Sequence, residues 1–154
     1  MRWLDVDPGN CSIQRTLGLI GEKWTLLVLR DAANGVRRFD DFHRHVGLSE
    51  PVLSARLRTL VDAGILETRP YRDPGQRERR EYRLSDKGWQ LYPVLIGLMQ
   101  WGDEHLADAS GAPWIVRHKS CGHPVEAVVR CTYDHEVVGP RAAERSPGPG
   151  ARLS

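Results

Sequence analysis

Residues 47–64 read GLSEPVLSARLRTLVDAG, and this stretch decides the fold that the sequence predicts. The pattern is that of one helix: Ser49 can cap its start, Pro51 suits its first turn, and Gly64 can end it in a left-handed conformation. At about 100° per residue, the leucines fall on one side and are expected to pack inward. The opposite side is small, polar and basic. Such a surface suits a DNA major groove, although an ordinary solvent-exposed helix has the same pattern.

The segments before this helix favour the DNA-binding interpretation. Apolar residues recur with helical spacing over about 12–20 and 22–33, and a shorter helical pattern covers about 39–45. Gly47 and Leu48 then turn the chain into the longer helix. A short helix, a tight turn with glycine and a longer helix with a polar outer face have the order of a helix-turn-helix.

A basic hairpin is predicted directly after the helix-turn-helix. Residues 65–69 and 80–84 alternate like two strands, and Asp73-Pro74-Gly75 lies between them as a turn. A hairpin in this position is a wing, here residues 67–83, which contacts the sugar-phosphate backbone or the minor groove beside a recognition helix. The alternative is a solvated charged turn, because acidic residues dilute the arginines. The order and spacing of the elements favour the wing.

A long helix is predicted over about 86–107, and its apolar stripe is wider than packing against one small domain requires. The stripe consists of Leu91, Val94, Leu95, Leu98, Met99, Trp101 and Leu106. We expect its surplus face to pack against a second copy of the chain, although a well-buried core helix is the alternative. A two-fold dimer would place two recognition helices about one turn of DNA, ~34 Å, apart.

The composition sets limits on the class of protein. The 154 residues have a formal net charge of +2 and a sequence pI of about 8.6, so the total charge alone does not indicate nucleic acid. We find no apolar run of membrane-spanning length and no signal segment, and we therefore expect a soluble cytoplasmic protein associated with the nucleoid. A phosphate-binding glycine loop, a nucleophile elbow and an HExxH motif are all lacking, so no enzyme is predicted.

The chain after residue 110 has a different character. Residues 111–113 predict a linker, and residues 114–138 predict a compact, short-stranded appendage rich in His and Cys. Residues 139–154 are rich in Pro and Gly and predict a disordered tail. The predicted fold is therefore mainly α with a small β-wing (α+β): a winged helix-turn-helix that dimerises through a long C-terminal helix, followed by a short β-rich appendage.

Several motifs, taken in order, resemble the HxlR family of bacterial winged helix-turn-helix regulators, which are related in fold to the MarR proteins. The motifs are Cys11-Ser12-Ile13, residues 21–29 (GEKWTLLVL), Gly35 with Arg38-Phe39, residues 53–60 (LSARLRTL), Ala63-Gly64-Ile65-Leu66 and residues 81–88 (EYRLSDKG). The resemblance covers about residues 10–107, our predicted DNA-binding and dimerisation domain. It implies a homodimer that binds a pseudo-palindromic operator in double-stranded DNA, usually as a repressor, and a small-molecule effector is a further expected partner. Glu22 departs from the family, whose members commonly have Gly or Asp there.

The predicted DNA contacts fall into two groups. On the recognition helix, the outward residues are expected to approach base edges, with Arg56 as the main base contact and Arg58 on phosphate. These residues are Ser49, Pro51, Val52, Ser54, Ala55, Arg56, Arg58 and Thr59. The second group is expected to hold phosphates or the minor groove, and it consists of Arg37, Arg38, Arg72, Arg77 and Arg79.

Cys11 is a candidate redox sensor, since the resemblance includes relatives in which a cysteine at this position responds to electrophiles or oxidants. A helix N-terminus stabilises a thiolate, which gives such a role a mechanism. The alternative is a small, semi-buried residue that packs under the dimer helix.

The C-terminal His and Cys residues have the spacing of a zinc ribbon, in which two close pairs on tight turns complete a tetrahedron. The candidate ligands are His118, Cys121, Cys131, Asp134 and His135. Asp134 stands where related ribbons have the last cysteine. The segment therefore predicts either a structural zinc ion or a ribbon that keeps the hairpin without the metal. The alternative function is a winged-helix protein-interaction or assembly module that uses this segment for docking and has no specific DNA readout.

Overall fold

The computed structural model describes residues 3–152. This part of the chain contains six α-helices and one two-stranded antiparallel sheet. The elements are α1 (Ser12–Ile20), α2 (Lys23–Ala33), α3 (Phe39–Val46), α4 (Glu50–Asp62), β1 (Leu66–Tyr71), β2 (Arg79–Leu84), α5 (Asp86–Trp89) and α6 (Tyr92–His105). Their order confirms the predicted α+β winged helix-turn-helix. Over residues 3–152, none of the helices has the length and apolar character needed to span a membrane.

Helix α4 begins and ends where the sequence predicts. Gly64 has a φ of +68°, a left-handed conformation that glycine adopts without steric cost. Ser49 precedes the helix with extended backbone, but its hydroxyl makes no capping hydrogen bond, so the predicted side-chain cap is wrong. A capping hydroxyl accepts from the second or third helical N–H, and Pro51 at the second position has none to give.

The core of the helix-turn-helix comes from the apolar sides of α2, α3 and α4. Leu53, Leu57 and Leu60 of α4 are at most 1% exposed, which confirms the inward side predicted for this helix. Phe42 of α3 and Leu29 of α2 are completely buried in the same core. Burial of a Leu or Phe side chain stabilises a fold by roughly 1.5–3 kcal/mol, so these residues fix the position of the recognition helix.

The wing is a regular hairpin. Strands β1 and β2 pair in an antiparallel register from Leu66 opposite Leu84 to Tyr71 opposite Arg79. In the turn, the Gln76 N–H donates to the Asp73 carbonyl (3.0 Å), and Gly75 has a φ of +76°. Proline at the second position and a left-handed glycine at the third define a type II turn, so Asp73-Pro74-Gly75 forms the turn that its sequence predicts.

The predicted long helix over 86–107 is wrong in one respect, because it is broken into α5 and α6 at Gln90 and Leu91. The cause is Pro93, which has no N–H to donate to the Trp89 carbonyl and whose ring would clash with it. Gly88 of α5 lies against the wing, and a Cβ atom there would collide with the Ile65 carbonyl oxygen. Only glycine fits this approach.

The described chain divides into two compact units, Pro8–Tyr92 and a second unit that joins the residues before Pro8 to those from Pro93 onward. Within the second unit, the described residues 114–138 form isolated bridges, Arg117 with Pro124 and Arg130 with Glu136, in place of strands. The Gln100 side chain of α6 anchors them, since it donates to the Val125 carbonyl (2.6 Å) and accepts from the Ala127 N–H (2.8 Å). Of the predicted tail, residues 153 and 154 lie outside the described residues.

Candidate nucleic-acid interface

The outer side of α4 is exposed, as a recognition surface requires. Pro51, Val52, Ala55, Arg58 and Thr59 are all exposed. Ser54 is half-buried, and Ser49, just before the helix, is exposed. The Thr59 hydroxyl donates to the Ala55 carbonyl (3.0 Å) and keeps its two lone pairs as acceptors. Most side chains on this surface are small, so the helix can approach base edges closely.

Arg56 differs from its neighbours because a carboxylate holds it. Its Nη2 lies 2.7 Å from Oε2 of Glu22, the residue just before α2. The Arg56 side chain is only 31% exposed, and its Nε atom is buried with no hydrogen-bond partner. A buried donor without a partner is unfavourable by ~1–3 kcal/mol, so the docked position of this guanidinium is only partly satisfied.

Three exposed arginines among the predicted DNA contacts have no acidic partner within the described residues. They are Arg58 on α4 and Arg72 and Arg77 in the wing, and all three are exposed. Arginine presents a rigid fork of N–H donors that matches phosphate oxygens. These three side chains therefore offer the unneutralised positive charge that attraction to a polyanion needs.

Two other predicted contacts are paired with carboxylates across the structure. Both terminal nitrogens of Arg38 donate to the Asp73 carboxylate (3.0 and 3.1 Å), and the guanidinium lies 4.4 Å from the ring centre of Tyr71. The hydrogen bond to Asp73 raises the pKa of Arg38 above its usual value. Arg79 of β2 donates to Oδ2 of Asp40 (3.0 Å). Asp73 and Asp40 were missed as functional residues because sequence alone does not show which arginines they meet.

The Arg37 side chain hydrogen-bonds to the backbone of the protein. Its Nη1 donates to the Val36 carbonyl (3.2 Å) and to the Ala32 carbonyl (2.7 Å), which also accepts from the Gly35 N–H (3.2 Å) at the end of α2. A guanidinium at this end of a helix also meets the negative end of the helix dipole. The structure thus gives Arg37 a structural contact beside the phosphate contact predicted for it.

A buried carboxylate beneath the helix-turn-helix was also missed. Asp31 is 2% exposed and lies 2.7 Å from Nδ1 of His45 on α3, while Arg30 donates to its other oxygen (2.8 Å). A buried charge needs such partners, because its desolvation is otherwise costly. A single Asp inside the apolar pattern of α2 was the only sign of this cluster in the sequence.

The remaining predicted site residues are only partly brought together. Cys11 is half-buried and is a free thiol at the residue before α1. In the C-terminal segment, Nδ1 of His118 lies 3.2 Å from Sγ of Cys121, which unites one predicted ligand pair. Asp134 instead accepts from Arg130 (3.0 Å), and the Cys131 N–H donates to the His135 carbonyl. Across the described residues 3–152, no three His, Cys, Asp or Glu side chains are placed to hold a metal ion.

A surface depression of about 530 Å³ lies beside α5. Its lining includes Glu67, Arg69, Asp86, Lys87 and Trp89. Sites for small organic ligands are mostly apolar, so this charged lining does not point to the expected effector.

Comparison with known proteins decides the family. A family model described as HxlR-like helix-turn-helix matches residues 19–110. The chain belongs to the HxlR family. It is 45% identical over 140 residues to an HTH-type transcriptional regulator of Mycobacterium tuberculosis (strain ATCC 25618 / H37Rv), with 90% of this chain and 87% of that protein covered. This member of the HxlR family is therefore a DNA-binding winged helix-turn-helix transcriptional regulator, and its curated relatives are named HTH-type transcriptional regulators.

Solved structures agree with the HxlR assignment. A candidate transcription factor, PA1607, matches with a TM-score of 0.79 at 31% identity, over 90% of this chain and 96% of that one. The redox regulator HypR in its oxidised form matches with a TM-score of 0.57 at 27% identity, over 64% of this chain and 100% of HypR.

Proposed function

We propose that this regulator is a sequence-specific repressor that binds a pseudo-palindromic operator as a homodimer. The observation that supports it most is the exposed outer side of α4, with Arg58 on that side and with Arg72 and Arg77 in the wing exposed and without an acidic partner among residues 3–152. Positive side chains on the helix and in the wing suit a protein that contacts base edges with the helix and binds DNA phosphates on both sides of it.

In this proposal Arg56 contacts a base edge, and Val52, Ser54 and Ala55 lie beside it in the major groove. Arg56 has to leave Glu22 before it can reach DNA, since the two side chains form an ion pair in the free protein. The Nε atom of Arg56 has no hydrogen-bond partner while the side chain lies against Glu22. Moving from Glu22 to DNA is therefore easier, because there the guanidinium can form hydrogen bonds that it lacks in the free protein.

Dimerisation is supported by the exposed stripe on α6. Val94, Leu98 and Trp101 are 47%, 52% and 58% exposed, and their spacing of four and three residues puts them on one side of the helix. Helix α1 has a similar pair, Ile13 and Leu17, at 69% and 57%. Exposed apolar side chains along one side of a helix mark an interaction surface, and a second copy of the chain is the partner we propose.

A gel-shift titration with the DNA upstream of the chain's own gene tests the proposal. We expect a shift that weakens steeply as salt rises, because binding releases counterions from phosphates. Arg77→Ala should weaken binding to every duplex and lower the salt slope by about one. The absence of a shift at low salt, with reduced and with oxidised protein, contradicts the proposal. It would favour the protein-interaction module, for which the exposed Trp114 (79%) and Tyr133 (85%) offer a docking surface.

Redox sensing through Cys11 is a second candidate function. Its thiol is partly accessible and lies at the residue before α1, and a chain of similar fold is the redox regulator HypR. We propose that an oxidant such as diamide takes two electrons and two protons from a pair of Cys11 thiols, one in each protomer, to form a disulfide. Non-reducing electrophoresis should show a covalent dimer that Cys11→Ser abolishes. A covalent dimer that persists in Cys11→Ser contradicts this role.

A further inference from the structure

Two ion pairs join the start of α3 to the wing, and they have opposite polarity. In one, Arg38 just before α3 donates two hydrogen bonds to Asp73 in the wing turn. In the other, the wing supplies the cation: Arg79 of β2 donates to Asp40 in the first turn of α3. Each segment therefore gives one charge of each sign, and the two pairs together select one alignment of the wing against α3.

Backbone hydrogen bonds also hold the wing against the segment just before α3. The Tyr82 N–H donates to the Arg37 carbonyl (2.8 Å), and Arg38 forms an isolated antiparallel bridge with Glu81. These contacts lie near the middle of β2, whereas Asp73 is in the turn itself. A two-stranded hairpin is only marginally stable alone, so its far end depends on contacts such as the one between Asp73 and Arg38.

Two wing arginines that form no ion pair within residues 3–152 lie next to these pairs. Arg72 adjoins Asp73, and Arg77 lies two residues before Arg79. The stacking of Arg38 on the Tyr71 ring adds a second contact at the same place, 4.4 Å from the guanidinium to the ring centre. Contacts that position Asp73 and Arg79 therefore also restrict where the backbone of the neighbouring Arg72 and Arg77 lies.

We propose that Asp73 and Asp40 are positioning residues for DNA binding: they hold Arg38 and Arg79 so that the wing presents Arg72 and Arg77 to phosphate. This rests on the proposed DNA-binding role of the wing. It revises the sequence-based assignment of Arg38 and Arg79, whose guanidinium groups serve the alignment of the wing rather than the DNA backbone.

The proposal predicts an effect opposite in sign to simple electrostatics. Removal of a carboxylate from a DNA-facing surface ordinarily strengthens binding, because one fewer negative charge opposes the phosphates. If Asp73 aligns the wing, Asp73→Asn should instead weaken binding. Glu78→Gln is the matched control, since it removes the same charge from the same hairpin at an exposed residue that makes no ion pair within the described chain.

The experiment measures the affinity of the full-length protein for its operator and for a scrambled duplex by fluorescence anisotropy. An exposed ion pair stabilises by little, so Asp73→Asn and Asp40→Asn should each weaken binding by about two- to fivefold on both duplexes. Glu78→Gln should bind as tightly as the wild type or slightly more tightly. In the charge reversal, the double variant Arg38→Asp with Asp73→Arg exchanges the two charges and restores the ion pair. It should therefore recover most of the DNA affinity that Asp73→Asn loses.

A second measurement is independent of DNA. Amide hydrogen exchange in residues 71–79 should be faster in Asp73→Asn than in the wild type and should slow again in the charge reversal. Tighter binding by Asp73→Asn, unchanged exchange in residues 71–79, or no recovery in the charge reversal would each overturn the positioning role. A wild-type protein that binds neither duplex would instead refute the proposed function, and the exchange data would still decide whether Asp73 aligns the wing.

Discussion

Replacing Glu22 with Gln should strengthen binding to the operator, and the gain should depend on Arg56. Glu22 holds the Arg56 guanidinium at 2.7 Å in the free protein, so the wild type has to break this ion pair before Arg56 reaches a base. Glu22→Gln keeps the size of the side chain and removes the charge. The free protein then holds Arg56 less firmly, while the contact between Arg56 and DNA is unchanged.

The expected gain in operator affinity follows from the solvent exposure of the Glu22–Arg56 ion pair. The Glu22 side chain is 54% exposed and that of Arg56 is 31% exposed, so the pair belongs with surface ion pairs that stabilise by ~0.2–1 kcal/mol. The unpartnered Nε atom reduces the net gain from docking, and we therefore expect a rise in operator affinity of no more than about fivefold. Arg56→Ala should cost ~1–3 kcal/mol of operator affinity and little on a scrambled duplex, because a base contact is lost.

A double-mutant cycle measures how far the effect of Glu22→Gln depends on Arg56. Operator affinity is determined for the wild type, Glu22→Gln, Arg56→Ala and the double variant at one salt concentration. Glu22→Gln should strengthen binding in the wild type and change it much less once Arg56 is absent. Glu50→Gln, an exposed carboxylate at the start of α4, is the control and should have the same effect with or without Arg56. Equal effects of Glu22→Gln in both backgrounds would refute the reasoning, as would equal losses on operator and scrambled DNA for Arg56→Ala.

Three further predictions concern assembly, stability and metal. Leu98→Glu should convert the dimer to a monomer in sedimentation equilibrium with α-helix content preserved, and an unchanged dimer would exclude the exposed α6 stripe as the interface. Gly88→Ala should lower the free energy of unfolding by at least ~1–3 kcal/mol, because its methyl group meets backbone. Gly18→Ala, in open space on α1, should stabilise by ~0.5–1 kcal/mol, and equal effects in urea titrations would contradict the packing argument. If the C-terminal segment holds a structural zinc ion, elemental analysis should give one equivalent that Cys131→Ser removes; zinc below one equivalent that leaves without loss of stability would instead indicate the hairpin without the metal.

The sequence predicted those features of the fold that depend on local chemistry. Glycines and prolines at fixed places set the ends of α4 and the turn of the wing, and helical spacing identified its buried leucines. The break between α5 and α6 was also present in the sequence as Pro93, but the apolar spacing on both sides of it favoured one continuous helix. The absent cap at Ser49 has a similar origin, because Pro51 stands in the sequence at a position whose N–H the Ser49 hydroxyl would otherwise accept from.

The side-chain pairs of the candidate site could not be predicted in this way. Arg38 and Asp73 are 35 residues apart, and Arg79 and Asp40 are 39 apart, so each pair forms only when the wing has folded against α3. Arginine content and element order indicated a basic DNA-binding surface. They did not distinguish the arginines that are free, such as Arg77, from those that a distant carboxylate already holds.

The central claim, that α4 reads DNA in a two-fold assembly, is tested most directly by selection of tight-binding duplexes from a random pool, followed by affinity measurements on the enriched sequence. We predict an enriched sequence with two-fold symmetry and half-sites about 10 base pairs apart, bound at least ~10³ times more tightly than a scrambled duplex at physiological salt. Arg56→Ala should reduce that ratio. Failure to enrich any sequence, or equal affinity for the enriched and scrambled duplexes, would contradict the claim.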